Sequence, residues 1–92
     1  MNFTHTLSDS KNWIINHKDQ LEINWSEKDI ELHLNKETSF NIYLLDQTNV
    51  KGALIGHFLY QDQKVSEFEI LHIAVLPEFR NQGLGRMILE EL

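Results

Sequence analysis

The chain has 92 residues, with 8 Lys and Arg against 14 Asp and Glu, a formal charge of −6 at pH 7 with His neutral. This length predicts one domain with one thin core, and the acidic balance excludes a partner that is gripped by neutralising phosphates along a nucleic acid. The absence of cysteine excludes disulfide scaffolds, thiolate metal sites and cysteine nucleophiles.

No apolar run approaches the length needed to span a bilayer. Residues 1–20 lack the basic start and apolar stretch of a signal peptide, so the expected setting is the cytoplasm, with no membrane partner. No repeat or linker interrupts the chain, and Pro77 is its only proline.

Residues 2–6 alternate polar and apolar, which predicts a short first strand. Ser8, Asp9 and Ser10 offer N-cap oxygens. Trp13, Ile14, His17 and Leu21 then recur near helical spacing, predicting a helix over 10–20. Ser26, with Asp29 three residues on, marks a second helix start of the capping-box kind, although Ile30, Leu32 and Leu34 fit the helical period only partly.

From residue 39 the period changes to two. Phe40–Leu45 reads as a strand and 46–49 as a turn. Ala53–Tyr60 reads as a second strand, with Gly52 and Gly56 as bulge or close-approach positions. Residues 61–64 form a further turn before a strand over 65–75. Its first half alternates as an exposed strand does. Its second half, Ile70–Leu76, is apolar apart from His72, the pattern of a strand covered on both faces. Pro77 ends it by forcing Leu76 out of helical geometry.

The segment after Pro77 carries the chemistry. Leu84, Met87, Ile88 and Leu92 fall on one helical face, so the layout is a strand, a loop holding Gly83 and Gly85, and a helix. A helix start presents unpaired amides and a partial positive charge, which suits a phosphate, and a glycine without Cβ lets a ligand approach the backbone. Residues 1–79 hold six lysines and twelve acids, whereas residues 80–92 hold both arginines and two glutamates. A Walker loop requires Lys-Ser/Thr after its last glycine, and Gly85-Arg86-Met87 lacks it. A dinucleotide fingerprint requires a third small residue where Ile88 stands.

Arg80-Asn81-Gln82-Gly83-Leu84-Gly85 instead resembles the Arg/Gln-x-x-Gly-x-Gly/Ala signature of the GNAT superfamily of acetyl-CoA-dependent N-acetyltransferases. Ile73-Ala74-Val75-Leu76-Pro77-Glu78-Phe79 resembles that superfamily's fourth strand and exit loop. Trp25-Ser26-Glu27-Lys28 and Leu71-His72-Ile73-Ala74-Val75 are similar to the ribosomal-protein alanine N-acetyltransferases, the RimI type. The likeness runs from about residue 5 to residue 92, its specific part being 70–89.

The resemblance implies an α/β (α+β) fold, a mixed sheet with central antiparallel strands flanked by helices. It implies acetyl-CoA as cosubstrate and a primary amine as acceptor, most of all a protein N-terminus. It also implies that Ile73, Ala74 and Val75 pair through their backbone with the pantetheine arm, and that Asn81, Gln82, Gly83, Leu84, Gly85 and Arg86 hold the pyrophosphate. Glu69, four residues before Ile73, resembles the general-base glutamate of the histone-acetyltransferase branch. The alternative for Glu69 is a solvated strand residue like Glu67.

In the RimI type the general-base glutamate and the acidic tyrosine lie in later elements, beyond the helix at 84–92. That helix shows no C-cap glycine and carries Glu90 and Glu91 at its negative end. The expectation is therefore a single, partial N-acetyltransferase domain over 1–92, truncated after the pyrophosphate-loop helix. A non-catalytic acetyl-CoA-binding or dimerising remnant is the alternative, with the open edge of strand 65–75 pairing with a second copy. The five histidines show no ligand spacing, so no metal is expected. His72 reads as a hydrogen-bonded core residue, and Trp13 and Trp25 as packing anchors, Trp25 alternatively as the wall of an acceptor groove.

Overall fold

The computed structural model describes residues Met1–Leu92. In chain order the elements are β1 (Asn2–Thr4), α1 (Ser10–Asn16), α2 (Glu27–Leu34), β2 (Ser39–Asp46), β3 (Asn49–Gln61), β4 (Lys64–Val75), a 3-10 turn (Pro77–Phe79) and α3 (Leu84–Glu90). The four strands form one sheet in the order β1-β2-β3-β4, with every pairing antiparallel.

Alternation along the strands sends side chains to two different cores. Tyr43, Ala53 and Ile55 pack on one face with Ile14, Leu21, Ile23, Ile30 and Leu76. Ile42, Leu44 and Leu54 pack on the other with Leu84 and Ile88. Helices α1 and α2 thus cover one face and α3 the other, giving the expected α/β architecture. Double coverage explains why β2 is buried without a break from Asn41 to Leu44.

The turns determine how far the strands run. Asp46 pairs with Asn49 and Gln61 with Lys64, so each hairpin closes through two residues. Gln47, Asp62 and Gln63 take positive φ values, which match a tight turn to the strand twist. Closing this tightly lets β3 start at Asn49, earlier than the expected Ala53, because Asn49, Val50 and Gly52 still pair with β2.

Helix α1 ends at Asn16 instead of continuing to residue 20. The His17 Nδ1 lies 2.7 Å from the Trp13 carbonyl, and Glu22 adopts φ 59°. The chain bends there so that Leu21 and Ile23, both nearly fully buried, enter the core. The predicted side-chain cap of α1 is also replaced. Asp9 occupies the cap position without capping; its Oδ2 accepts from Asn12 Nδ2. Helix α2 starts as expected, with Ser26 Oγ accepting from the Asp29 amide at 3.1 Å.

Two apolar expectations are corrected. Strand β4 is the edge of the sheet, and Ile70 and Leu71 are 40% and 36% exposed, not covered on both faces. Helix α3 reaches only the end of β4, where Ile73 and Val75 pack against the second core. On α3 itself, Leu84 and Ile88 are buried, whereas Met87 and Leu92 are 37% and 54% exposed. The helix meets the sheet along a narrower stripe than the four-residue face implied.

Candidate active site

The loop between β4 and α3 is shaped by a few local choices. Leu76 is extended before Pro77, and the chain makes one 3-10 turn. Asn81 and Gly83 then take left-handed conformations, φ 66° and 75°. Asn is among the few side chains that tolerate this region. A Cβ on Gly83 would meet nothing within 4 Å, so its positive φ, rather than crowding, calls for glycine. At Gly85 neither reason applies. Its φ is not positive, and a Cβ there would make only an ordinary 4.0 Å contact with Val75 Cγ2.

The backbone amides of Asn81, Gln82, Gly83, Leu84, Gly85 and Arg86 donate to no group of the protein. The first amide of this stretch to find an acceptor belongs to Met87, which donates to the Gly83 carbonyl at 3.1 Å. These unpaired amides precede and open a helix with no acid in its first turn, and such backbone groups are free to meet an anion.

Both arginine side chains have partners within the chain. Arg80 Nε donates to the Val75 carbonyl (3.0 Å) and its Nη2 to the Gln20 carbonyl (2.9 Å), tying the loop to the connection that follows α1. Arg86 pairs with Glu90 at 3.0 Å and is 84% exposed, so its charge stays in solvent.

Ile73, Ala74 and Val75 pair with Leu54, Ala53 and Gly52 of β3. Being on an edge strand, they turn alternate backbone groups away from the sheet, although the Val75 carbonyl is already taken by Arg80. Their side chains divide between the two cores, Ile73 and Val75 toward α3 and Ala74 toward α1 and α2.

Glu69 lies further up β4, opposite His57 of β3, and its Oε1 is 2.7 Å from His57 Nε2. It is solvent-exposed at the same time, with 52% of its side chain accessible. Nothing in the sequence analysis assigned a role to His57. The available signal was the tight turn after Gln61, from which counting back along both strands brings His57 to within one residue of the position opposite Glu69. A bulge lies beside them. Ile55 pairs with His72 and Gly56 with Ile70, leaving Leu71 without a partner. Gly56 permits this, since a Cβ there would lie 2.5 Å from Phe68 Cζ and 2.7 Å from the Glu69 carbonyl.

On this side the sheet and α2 enclose a cavity of about 390 Å³ lined by Trp25, Asp29, Leu32, His33, Lys36, His57 and Leu71. His33 is buried and its Nε2 donates to Asn41 Oδ1 at 3.2 Å. Burial holds its imidazole below the ordinary value, a displacement that the Asn41 hydrogen bond partly offsets. Trp25 meets the His33 ring edge-on at 5.5 Å and lines the cavity. His72 is bonded through Nε2 to the Leu21 carbonyl at 2.7 Å, a cross-link between β4 and the connection following α1. No group of three or more His, Cys, Asp or Glu side chains is arranged to hold a metal ion.

The chain belongs to the acetyltransferase (GNAT) family, whose model matches residues 3–92. Solved structures share the fold. The ribosomal-protein-S18-alanine N-acetyltransferase of Escherichia coli superposes with a TM-score of 0.79 at 23% identity, over 98% of this chain and 55% of that one. An aminoglycoside acetyltransferase from an uncultured soil metagenomic sample, in complex with sisomicin, gives 0.71 at 19% identity over 98% and 65%. A GNAT family acetyltransferase from Brucella melitensis, in complex with acetyl-CoA, gives 0.70 at 14% over 98% and 64%. The chain thus spans a little over half the length of the E. coli enzyme. No curated protein matches it.

Proposed function

We propose that this chain transfers an acetyl group from acetyl-CoA to a primary amine, with a protein N-terminal amine as the acceptor. The observation that carries the reading is the run of unpaired amides from Asn81 to Arg86 at the start of α3. Those residues would hold the pyrophosphate, and the outer backbone edge of Ile73, Ala74 and Val75 the pantetheine arm. The space beside Gly85 fits a close approach, because nothing in the chain itself requires a glycine there.

Acetyl-CoA supplies the activated acyl group, a thioester. What the chain contributes is placement and proton handling. An ammonium ion is not a nucleophile, so a proton acceptor near the reacting amine accelerates transfer. Glu69 is the carboxylate proposed for that role, directly or through the imidazole it holds. The cavity beside it offers Asp29 to a cationic amine and Trp25, Leu32 and Leu71 to the apolar part of an acceptor. Likeness to the E. coli enzyme favours a protein N-terminus as acceptor and the cytoplasm as setting, with residues 1–92 as a single, partial acetyltransferase domain.

A second reading follows from the exposed Ile70 and Leu71 on the open edge of β4. It is a non-catalytic acetyl-CoA-binding module that pairs with a second copy through strand 65–75. Calorimetric titration with acetyl-CoA and a thioester-release assay with an alanine-starting peptide separate the two. Binding with turnover supports the enzyme, and binding without turnover supports the module. Absence of binding contradicts both.

A further inference from the structure

We infer that His57, oriented by Glu69, is the group that takes the proton from the acceptor amine. This rests on the acetyl-transfer reading and deepens it by assigning the receiving atom. Glu69 Oε1 lies 2.7 Å from His57 Nε2. A carboxylate can only accept, so Nε2 carries the hydrogen and the neutral ring keeps its lone pair on Nδ1. His57 lines the cavity between the sheet and α2. Glu69 does not line it, and its side chain is 52% exposed against 22% for His57. The ring stands between the carboxylate and the space an acceptor would enter, which makes Glu69 a positioning residue.

The backbone builds this arrangement. His57 and Glu69 are register partners next to the Leu71 bulge, where Gly56 lets Phe68 and the Glu69 carbonyl come close. Leu71 opens onto the same cavity and precedes Ile73 by two residues, about 7 Å along a strand. The cavity thus adjoins the stretch proposed for the pantetheine arm.

The titratable and charged groups around His57 are Glu69 from β4 and Asp29, His33 and Lys36 from α2. The residue opposite it on β2 is Ser39, which carries no charge. Asp29 and Lys36 carry opposite charges, and His33 is buried and bonded to Asn41. Among these residues His57 alone joins a cavity-lining ring to a hydrogen-bonded carboxylate.

In the proposed step His57 Nδ1 takes one proton from the ammonium, freeing the nitrogen lone pair. The N–C bond to the acyl carbon forms and the C–S bond breaks, its electron pair leaving on sulfur. The second amine proton neutralises the thiolate, and the imidazolium returns its proton to water.

The test uses the whole chain with acetyl-CoA and an alanine-starting peptide, and compares His57→Gln and Glu69→Gln with the unaltered protein. His57→Gln is expected to lower kcat about 100- to 1000-fold, leave the acetyl-CoA Kd within about twofold, and abolish the acid limb of the pH–rate profile. Glu69→Gln is expected to lower kcat less. Nitrogen-detected NMR of the imidazole should show Nε2 protonated in the unaltered protein and a mixture of tautomers in Glu69→Gln. An unchanged kcat and acid limb in His57→Gln, or an Nδ1-protonated ring in the unaltered protein, would overturn the inference while leaving acetyl transfer standing. Failure of the unaltered protein to bind acetyl-CoA would instead overturn the reading beneath it, and binding without turnover would overturn both.

Discussion

Arg80 and Gln20 are joined across the molecule: the guanidinium Nη2 donates to the Gln20 carbonyl at 2.9 Å, sixty residues earlier in the chain. With Arg80 Nε on the Val75 carbonyl, one side chain ties the end of β4, the exit loop and the connection following α1 together. The signature arginine is thus committed to backbone carbonyls on either side of the loop.

Arg80→Gln should leave the secondary structure intact and weaken acetyl-CoA binding by about tenfold, because the loop loses its anchor before it meets the ligand. Both hydrogen bonds are exposed, so the stability loss should be only about 1 kcal/mol. Circular dichroism, thermal melting and calorimetric titration check the three parts.

The two loop glycines should respond differently. Gly83→Ala forces a Cβ into the left-handed region and should cost about 1–2 kcal/mol. Gly85→Ala should gain up to about 1 kcal/mol, since it replaces a helical glycine that nothing in the chain crowds. Gly85→Leu should fold and bind acetyl-CoA far more weakly, having filled the space beside Val75. Denaturant unfolding and the same titration read both.

At Gly56 the obstruction is partly backbone, with the Glu69 carbonyl 2.7 Å from an added Cβ. Gly56→Ala should destabilise by about 1–3 kcal/mol. It should also displace Glu69 from His57, which turnover relative to acetyl-CoA affinity would report.

Acid should destabilise the protein partly through His33. Burial lowers its imidazole below the ordinary 6.5, so the unfolded chain binds this proton more readily than the folded one. The contribution is fully present above 6.5 and is lost as pH falls through the lower folded value. His33→Gln should flatten the pH dependence of unfolding below about 6.5, measured by urea titration at a series of pH values. Tyr43 gives the mirror case. Burial raises its phenol above 10, so stability is present below 10 and declines as pH rises beyond it.

Much of the sheet was legible from residues because its turns are local. Tight two-residue loops at 47–48 and 62–63 and the change of period at residue 39 are written in adjacent positions, as is the Ser26 cap. The loop from Arg80 to Gly85 was legible for the same reason. What escaped depends on distant partners. The end of α1 is decided by where Leu21 and Ile23 must go to be buried. The exposure of Ile70 and Leu71 follows from the edge position of β4, to which an apolar run is blind. The His57–Glu69 pair needed the register of a bulged hairpin, and the single-residue shift at Leu59/Tyr60 is invisible in a hydropathy pattern.

The most direct measurement is the amide NMR spectrum of the chain during titration with coenzyme A. The account predicts that the backbone amide signals of Asn81 through Arg86 shift together and saturate, and that their hydrogens become protected from exchange. Signals from this loop that stay in place at saturating coenzyme A, or changes confined to other segments, would contradict it.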